Sequence, residues 1–492
     1  MRHILSVDQG TTSSRAILFS SRGDIVGLRQ KELRLYTPHS GWVEQNPEDI
    51  WNDTLWAMQS LFRDYPEEVR GLAGIGITNQ RETTVLWDRR SGNPVYNAIV
   101  WQDRRTAEYC AGLKKRGAGE MIADKTGLLP DPYFSATKIA WVLDNVPGAR
   151  EKAEAGDLAF GTVDCFLLYR LTGGKVHATD ATNASRTMLY NIRENKWDAE
   201  LLDLFGIPAS LLPEVRDNVS DFGRTDPSLF GKSHVIGGMA GDQQAAVIGQ
   251  ACFSEGMVKS TYGTGCFALM NIGASFRKSE NRLLTTTAYR LDGVNTYAIE
   301  GAIFVAGAAV QWLRDGLHLF RDAAETEGIA TSVPDTGGVY FVPAFTGLGA
   351  PYWNPDVRGM ISGLSRGTTA AHIVRAALEA QAYQTRDLMG AFIADGGVDP
   401  AVIRADGGLV ANHFVCQFLA DMIGKPVEIP RVAETTALGA AYLAGLQAGV
   451  YNGLEDIAAL WSRARRYDPS MQAQKRDALY SGWQKSIGCL VE

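Results

Sequence analysis

The clearest indication of the fold is the segment ILSVDQGTTSSRAILFSSRGDIVGL, which occupies residues 4–28. Its apolar residues cluster in three short runs, at residues 4–7, 16–19 and 25–28. The intervening turns contain Gly10 and Gly23, and glycine permits the tight backbone conformations of a turn. The segment therefore predicts a meander of three short antiparallel strands.

The same order of features recurs in the second half of the chain. Strand-like runs at 257–262 and 266–270 flank the turn Gly263-Thr264-Gly265, and a further strand at 296–300 leads into a helical segment at 301–313. This recurrence predicts a duplicated fold with two domains, residues 1–250 and 251–492. Because no low-complexity linker separates them, we expect an extensive interface with a cleft between the domains.

Helix-like and strand-like patterns alternate along the rest of the chain, which predicts an α/β fold. Asn46-Pro47-Glu48-Asp49 combines an N-cap, a proline at the first helical position and two acidic residues, so a helix should begin there. Residues 72–78 have the pattern of a buried strand, and Asn79-Gln80-Arg81-Glu82 follows its carboxyl end. Open α/β sheets bind ligands at such ends.

Composition restricts the class of protein. The 492 residues include 48 Lys and Arg against 55 Asp and Glu, so the net charge of −7 argues against a broad surface for nucleic acid or acidic membranes. The longest apolar runs have ten residues, whereas a transmembrane helix needs about 20. Six scattered cysteines and an N-terminus without an export signal favour a cytoplasmic protein with reduced thiols. Any metal should have oxygen ligands.

The turn at residues 8–15, DQGTTSSR, has the composition of a phosphate-binding site. Backbone N–H groups near Gly10, the hydroxyl groups and Arg15 can contact phosphate, and Asp8 can hold a metal ion through water. An ordinary hairpin is the alternative. The recurrence at 263–265 favours phosphate, because two facing turns can hold one polyphosphate from both sides. A third glycine turn, residues 407–408 before Asn412, could lie against a purine or ribose or be a plain turn.

Polar residues at other turns could bind a small substrate. Arg81-Glu82 offers a donor fork beside a carboxylate, which suits adjacent hydroxyl groups, although a surface ion pair is the alternative. Asp242 could be a general base or the N-cap of the following helix, and the local sequence slightly favours the cap. Trp101 and Tyr133 lie in otherwise polar segments and could line a site or belong to the core.

Three other motifs indicate competing functions. Gly231-Lys232-Ser233 lacks the earlier glycine of a P-loop, because Asp226 occupies that position. Residues 263–268 match the consensus sequence of a dinucleotide-binding motif. However, a strand-like run follows them where a dinucleotide site needs the start of a helix. Ser365 matches a nucleophile elbow, with His413 as the best candidate for a hydrolase triad, although a loop ending in a Thr cap explains the same residues.

Motifs shared with a known family cover the chain almost from end to end. They occupy residues 8–15, 41–44, 78–84, 101–102, 104–106, 182–187, 240–244, 261–266, 345–353 and 435–441, and residues 133–145 and 359–379 fit two family signatures. On these residues the chain resembles the FGGY family of carbohydrate kinases, within the actin and hexokinase superfamily, and in particular its members that phosphorylate glycerol. Because Ser365 lies within the second signature, the resemblance argues against a hydrolase.

The resemblance implies two actin-like, ribonuclease H-like domains with mixed sheets flanked by helices around a central cleft. The implied reaction is ATP-dependent phosphorylation of glycerol to sn-glycerol 3-phosphate, with Asp242 as general base and Mg²⁺ held near Asp8 through water. Implied glycerol contacts are Arg81, Glu82, Tyr133, Asp242, Gln243, Trp101 and Phe267. Implied nucleotide contacts are Thr11, Thr12, Ser13, Arg15, Thr264, Gly307, Gln311, Gly408 and Asn412. Homodimers or homotetramers are usual in the family.

The chain departs from the family pattern at three places. Cys165-Phe166 replaces a usual Thr-Trp, at positions that look structural. Residues 228–238 lack the loop through which some members bind an inhibitory sugar bisphosphate, so we do not expect that feedback, and residues 471–488 are too unlike the family to predict a regulatory partner. The alternatives are a kinase of the same family for a sugar such as a pentulose, and an actin-like ATPase that hydrolyses ATP without any polyol.

Overall fold

The computed structural model describes residues 2–354 and 356–491 and shows an α/β protein with one large mixed sheet in each half. The strands of the first half are β1 His3–Gln9, β2 Ser13–Ser20, β3 Ile25–Glu32, β4 Glu44–Gln45, β5 Leu72–Asn79, β6 Val85–Asp88, β7 Ala98–Ile99, β8 Leu158–Gly161, β9 Ala178–Asp180, β10 Tyr190–Asn191, β11 Lys196–Trp197, β12 Glu214–Arg216 and β13 Ile236–Gly241. Its helices are α1 Pro47–Asp64, α2 Pro66–Arg70, α3 Ala107–Lys115, α4 Gly119–Thr126, α5 Ser135–Asn145, α6 Ala149–Glu154, α7 Val163–Leu171, α8 Ala181–Ala184, α9 Ala199–Phe205, α10 Pro227–Phe230 and α11 Asp242–Gly249.

The second half contributes the remaining elements. Its strands are β14 Val258–Tyr262, β15 Cys266–Asn271, β16 Leu284–Leu291, β17 Val294–Ile303, β18 Tyr340–Val342, β19 Met360–Ser362, β20 Ile403–Asp406, β21 Val427–Pro430 and β22 Arg463–Tyr467. Its helices are α12 Gly307–Asp315, α13 Glu325–Thr331, α14 Ala370–Gly396, α15 His413–Ile423, α16 Thr435–Gln447, α17 Leu454–Leu460 and α18 Ala473–Val491. Short 3₁₀ helices occupy Ala209–Leu211 and Gly408–Ala411.

The two large sheets repeat one strand order. In the first half the order is β13-β5-β1-β2-β3, with β1 antiparallel to β2 and parallel to β5. In the second half β21-β20-β14-β15-β17 has the same order and directions, and β22 and β16 extend its two edges. The duplication predicted from the repeated strand, glycine turn and strand is therefore present in the topology.

Helix α11 of the first half and helix α16 of the second half cross each other in close backbone contact. An added Cβ at Gly439 would lie 1.8 Å from the carbonyl oxygen of Ala245, and one at Gly249 would lie 1.9 Å from that of Thr435. Helix α16 also lies against β1, β5 and β13, although it comes late in the chain. The second half thus packs on the first through backbone contacts that only glycine permits.

Most sequence-predicted elements are confirmed, with two differences. Asn46 caps α1 by accepting a hydrogen bond from the Glu48 N–H at 3.0 Å, as predicted. The segment 301–313 is not helical throughout, because residues 301–303 continue β17 in register with β15 and α12 begins only at Gly307. Asp242 is the first residue of α11 rather than its cap, which is Gly241. The six cysteines are free thiols, five of them buried, as predicted.

Candidate active site

Three turns meet at one edge of the first sheet. Gln9 at the end of β1 pairs with Asn79 at the end of β5, and Gly241 at the end of β13 pairs with the same asparagine. Since these strands are parallel, the residues that follow them lie together. The turn after β1, the Arg81-Glu82 pair and Asp242 are therefore neighbours in the fold.

Arg81 lies against the carboxylate of Asp242. The Nε atom of Arg81 is 3.2 Å from Oδ1 of Asp242, and the Asp242 side chain is 31% exposed while that of Arg81 is only 2% exposed. The Gln243 N–H also donates to Oδ1, at 2.7 Å. This carboxylate is fixed from two sides yet remains accessible, which a general base requires.

Glu82 is buried and does not form the surface ion pair that sequence left open. Its Oε1 accepts a hydrogen bond from Nε of Arg186 at 2.6 Å. The backbone φ of Glu82 is +62°, an uncommon conformation for a residue with a side chain. Burial raises the pKa of Glu82, although Arg81 and Arg186 act in the opposite direction.

Aromatic side chains from three distant segments contact one another in a row that reaches the Arg81 guanidinium through Tyr133. Tyr133 OH lies 3.3 Å from Nη2 of Arg81. The Trp101 ring meets the Tyr133 ring edge-on at 5.6 Å and the Phe267 ring at 6.0 Å between centroids. Phe267 belongs to β15, so the second half of the chain supplies one wall. Aromatic faces beside a donor fork suit a small molecule with a carbon chain and hydroxyl groups.

Three charged residues at this site have no predicted role in the sequence analysis, namely Arg186, Lys259 and Glu300. Lys259 is fully buried and donates a hydrogen bond to Oε1 of Gln243. Burial lowers the pKa of Lys259. Arg186 stands within a motif quoted for the family resemblance, whereas Lys259 and Glu300 occupy ordinary strand positions that carry no sequence signal.

Glu300 accepts from both arginines of the site. Arg81 donates to it through Nη1 at 2.6 Å and Nη2 at 2.9 Å, and Arg186 donates through Nη2 at 3.0 Å. Burial acts to raise the pKa of Glu300, but the two guanidinium groups outweigh it and hold the pKa at about 2. The carboxylate is thus ionised in the folded protein.

The first glycine turn connects directly to this site. The indole Nε1 of Trp101 donates to Oγ1 of Thr11 at 2.9 Å. Arg15 forms an ion pair with Asp8 and a second one with Glu434, the N-cap of α16, at 2.7 Å. Burial raises the pKa of Asp8, against the opposing effect of Arg15. Thr12 is exposed at the tip of the turn and Ser13 begins β2.

The predicted nucleotide residues of the second half gather at the matching sheet edge. The N–H of Gly307 donates to the Gly263 carbonyl at 2.9 Å, and the Ala308 N–H donates to that of Thr264 at 3.0 Å, so the start of α12 rests on this turn. Gln311 follows one helical turn later and is exposed. Because these two N–H groups already donate to the turn, the exposed Gln311 side chain is a donor that α12 offers to a ligand here.

The third glycine turn lies beside the second, because β14 and β20 are parallel neighbours. Gly407 has a φ of +95°, and an added Cβ would lie 2.4 Å from the Tyr262 carbonyl oxygen. Gly408 is exposed, and Asn412 caps α15 by accepting from the Val415 N–H at 3.0 Å. The structure thus places Thr264, Gly307 and Gly408 on adjoining turns, with Gln311 on α12 and Asn412 at the N-cap of α15.

The competing nucleophile motif does not form a hydrolase site, because Ser365 and His413 have separate partners. Ser365 contacts Thr368 within its own turn, while His413 contacts Tyr467 and Arg465. Thr369 caps α14, as the alternative interpretation predicted. Within residues 2–354 and 356–491, no helix is both long and apolar enough to cross a membrane, and no group of three or more His, Cys, Asp or Glu residues could hold a metal ion.

Both halves of the chain match a known family. The N-terminal domain of the FGGY family of carbohydrate kinases matches residues 3–249, and its C-terminal domain matches residues 258–448. The chain belongs to the FGGY family of carbohydrate kinases. The resemblance stated from the motifs is therefore confirmed.

Individual FGGY kinases are similar over the whole chain. Glycerol kinase of Nitrosomonas eutropha is 63% identical over 99% of this chain and 98% of its own length, and that of Alcanivorax borkumensis is 59% identical over the same shares. The crystal structure of Plasmodium falciparum glycerol kinase with ADP superimposes with a TM-score of 0.95 at 36% identity, over 100% of this chain and 99% of that one.

A more distant solved structure shares the fold. Xylulose kinase of Lactobacillus acidophilus has a TM-score of 0.89 at 22% identity, over 99% of both chains. Together with the match to the Plasmodium falciparum structure, this confirms the predicted fold class, two α/β domains of the actin-like ATPase type with mixed sheets flanked by helices.

Proposed function

We propose that the chain is a glycerol kinase that transfers the γ-phosphoryl group of ATP to glycerol, giving sn-glycerol 3-phosphate and ADP. The observation that carries the proposal is the accessible Asp242 carboxylate beside the buried Arg81 guanidinium, at 3.2 Å. The 63% identical Nitrosomonas eutropha relative, named a glycerol kinase, supports the same substrate.

Glycerol is held by donors, acceptors and aromatic walls in this proposal. The residues are Arg81, Glu82, Tyr133, Asp242, Gln243, Trp101 and Phe267. Hydroxyl groups of glycerol accept from the guanidinium and donate to the carboxylates, while the rings cover the carbon chain. The Asp242 carboxylate accepts the proton of the terminal hydroxyl group of glycerol as the oxygen of that hydroxyl group attacks the γ-phosphorus, and ADP leaves.

The nucleotide is held by the three glycine turns in this proposal. Its contacts are Thr11, Thr12, Ser13, Arg15, Thr264, Gly307, Gln311, Gly408 and Asn412. Backbone N–H groups and hydroxyl groups bind the phosphates, and positioning with charge neutralisation supplies most of the catalysis of phosphoryl transfer. ATP as the substrate agrees with the ADP named in the crystal structure of the Plasmodium falciparum relative.

The residues near the first turn fit a magnesium ion. Asp8 presents a buried carboxylate at the end of β1, close enough to Asp242 and Glu434 for their charges to raise its pKa, although burial is the larger cause. Mg²⁺ prefers oxygen ligands and keeps water and phosphate in its shell, so one carboxylate acting through water is sufficient. Bound there, the ion would spread the charge of the transferred phosphoryl group.

The domain limits 1–250 and 251–492 remain our proposal, with the substrates between the domains. Closure of the domains would exclude water that otherwise hydrolyses ATP. A cytoplasmic location and a homodimer or homotetramer remain predictions. Light scattering after size-exclusion chromatography measures the assembly.

A kinase for another sugar is the main alternative, followed by a polyol-independent ATPase. The identity of the product distinguishes these two functions from a glycerol kinase. We expect the product of MgATP and glycerol to be oxidised by sn-glycerol-3-phosphate dehydrogenase in stoichiometric ratio to the ADP formed. ADP without that product would contradict the proposal.

A further inference from the structure

Glu300 is a buried carboxylate that reaches from the second half of the chain to the candidate substrate site of the first half. It lies on β17, in the sheet of the second half, and has no exposed surface. Both oxygens accept from Arg81, at 2.6 and 2.9 Å, and one also accepts from Arg186 at 3.0 Å. Such a bidentate pair fixes the plane of a guanidinium as well as its position.

The donors of Arg81 divide into two groups. A guanidinium has five N–H donors. Three of them face buried acceptors, two on the Glu300 carboxylate and one on Oε1 of Gln244 at 3.3 Å. The other contacts are Tyr133 OH at 3.3 Å and Asp242 at 3.2 Å, both on partly exposed residues. Glu300 therefore directs the remaining donors of Arg81 toward the accessible side.

Charge also makes Glu300 necessary at this position. Arg81 and Arg186 are 2% and 0% exposed, and their positive charges act on each other. Glu82 pairs with Arg186 at 2.6 Å but lies 3.8 Å from Nε of Arg81, whereas Glu300 lies 2.6 Å from Arg81 and 3.0 Å from Arg186. Without Glu300, Arg81 would be drawn closer to Asp242, its nearest remaining carboxylate at 3.2 Å, because buried positive charge in excess of its acceptors is unfavourable.

We propose that Glu300 is a positioning residue of the polyol site, which orients Arg81 from the second domain so that Arg81 binds the substrate hydroxyl group beside the Asp242 carboxylate. The inference rests on the proposed function, in which Arg81 contacts glycerol. It makes the substrate site of the first domain dependent on a residue of the other domain that does not itself touch the substrate.

The substitution Glu300→Gln tests this role. The amide has the same shape but sets an NH₂ group against a guanidinium, so the bidentate pair is lost. We expect the KM for glycerol to rise about 10-fold to 100-fold, the range of a charged hydrogen bond, while the KM for ATP changes less than twofold. Glu300→Asp keeps the charge on a shorter side chain and should give a smaller rise.

Glu379→Gln is the matched control. Glu379 on α14 is 3% exposed and pairs with Arg375 at 2.8 Å, away from the candidate site. Glu379→Gln should lower the midpoint temperature of thermal unfolding without changing the KM for glycerol. If Glu300→Gln does not fold, the same KM comparison is made on Glu300→Asp.

The outcomes separate this inference from the proposed function. If the wild-type protein forms ADP in response to glycerol and a folded Glu300 variant has the same KM for glycerol, the positioning role is overturned and the proposed function is not. Equal rises in the KM for glycerol and for ATP also overturn it, since they indicate a general loss of structure. If wild type prefers another polyol, the same comparison applies to that polyol. ATP hydrolysis without any polyol overturns both.

Discussion

The Nε atom of Arg81 lies 3.2 Å from Oδ1 of Asp242, and the two residues follow neighbouring parallel strands of the first sheet. Arg81 is 2% exposed and Asp242 is 31% exposed. A fixed, buried cation thus holds an accessible carboxylate in place. The pair combines a substrate donor with a proton acceptor, and this combination underlies the proposed chemistry.

Replacing Asp242 by Asn should nearly abolish turnover. The amide keeps the size of the side chain but cannot accept a proton, so we expect kcat to fall by about 10²-fold to 10⁴-fold, the usual contribution of a general base. Glycerol binding, measured by calorimetry, should remain detectable. Turnover close to that of wild type would disprove the general-base assignment.

Removing Arg81 should weaken the binding of glycerol much more than the binding of ATP. Arg81→Ala deletes the donor that contacts Tyr133 and Asp242 and leaves Glu300 with Arg186 as its remaining partner. We expect a rise of at least about tenfold in the KM for glycerol. Arg375→Ala, in the pair of partly exposed Arg375 with buried Glu379 on α14, is the control. An equal effect of Arg81→Ala on both substrates would argue against its assignment.

The crossing of α11 and α16 should not tolerate a methyl group. Gly439→Ala would set its Cβ 1.8 Å from the Ala245 carbonyl oxygen, so we expect a loss of about 3 kcal/mol or more in the free energy of unfolding. Gly390→Ala is the matched control, since nothing lies within 4 Å of the Cβ it would add on α14. The control should gain about 0.5–1 kcal/mol from helix propensity. Urea denaturation measures both, and equal stabilities would contradict the packing described.

Much of this architecture follows from local sequence. The order strand, glycine turn, strand near residues 10 and 263 predicts the duplicated sheets. Turn residues and β-branched runs determine the structure of the few residues around them, so the sequence shows this order directly. Arg81, Glu82 and Asp242 could be found since they follow strand ends.

The remaining features depend on long-range contacts. Nothing near Glu300 indicates that its carboxylate contacts two arginines more than 100 positions away. In the same way α16, which the predicted limits 251–492 assign to the second domain, packs on β1, β5 and β13 of the first half. Local patterns determine which face of an element is buried, but not which distant element covers it.

His177 should make stability depend on pH. Burial lowers its pKa to about 4, and its Nε2 lies 2.8 Å from the Phe160 carbonyl oxygen. In the unfolded chain a histidine has a pKa of about 6.5. Between these values only the unfolded state binds the proton, so this side chain lowers the free energy of unfolding by about 1.4 kcal/mol for each pH unit of acidification.

His177→Gln should remove that contribution while keeping a donor for the Phe160 carbonyl. The free energy of unfolding, measured with urea at pH 7 and pH 5, should therefore fall less in the variant than in wild type. A variant with the same pH dependence as wild type would show that His177 is protonated equally in both states.

The most direct test of the account is the rate of ADP formation from MgATP with and without glycerol, compared across a panel of sugars and polyols that includes pentuloses. The arrangement of Arg81, Asp242 and the aromatic walls predicts that glycerol stimulates ADP formation strongly and more than any other compound in the panel. ADP formation that does not depend on glycerol, or a preference for a pentulose, would contradict it.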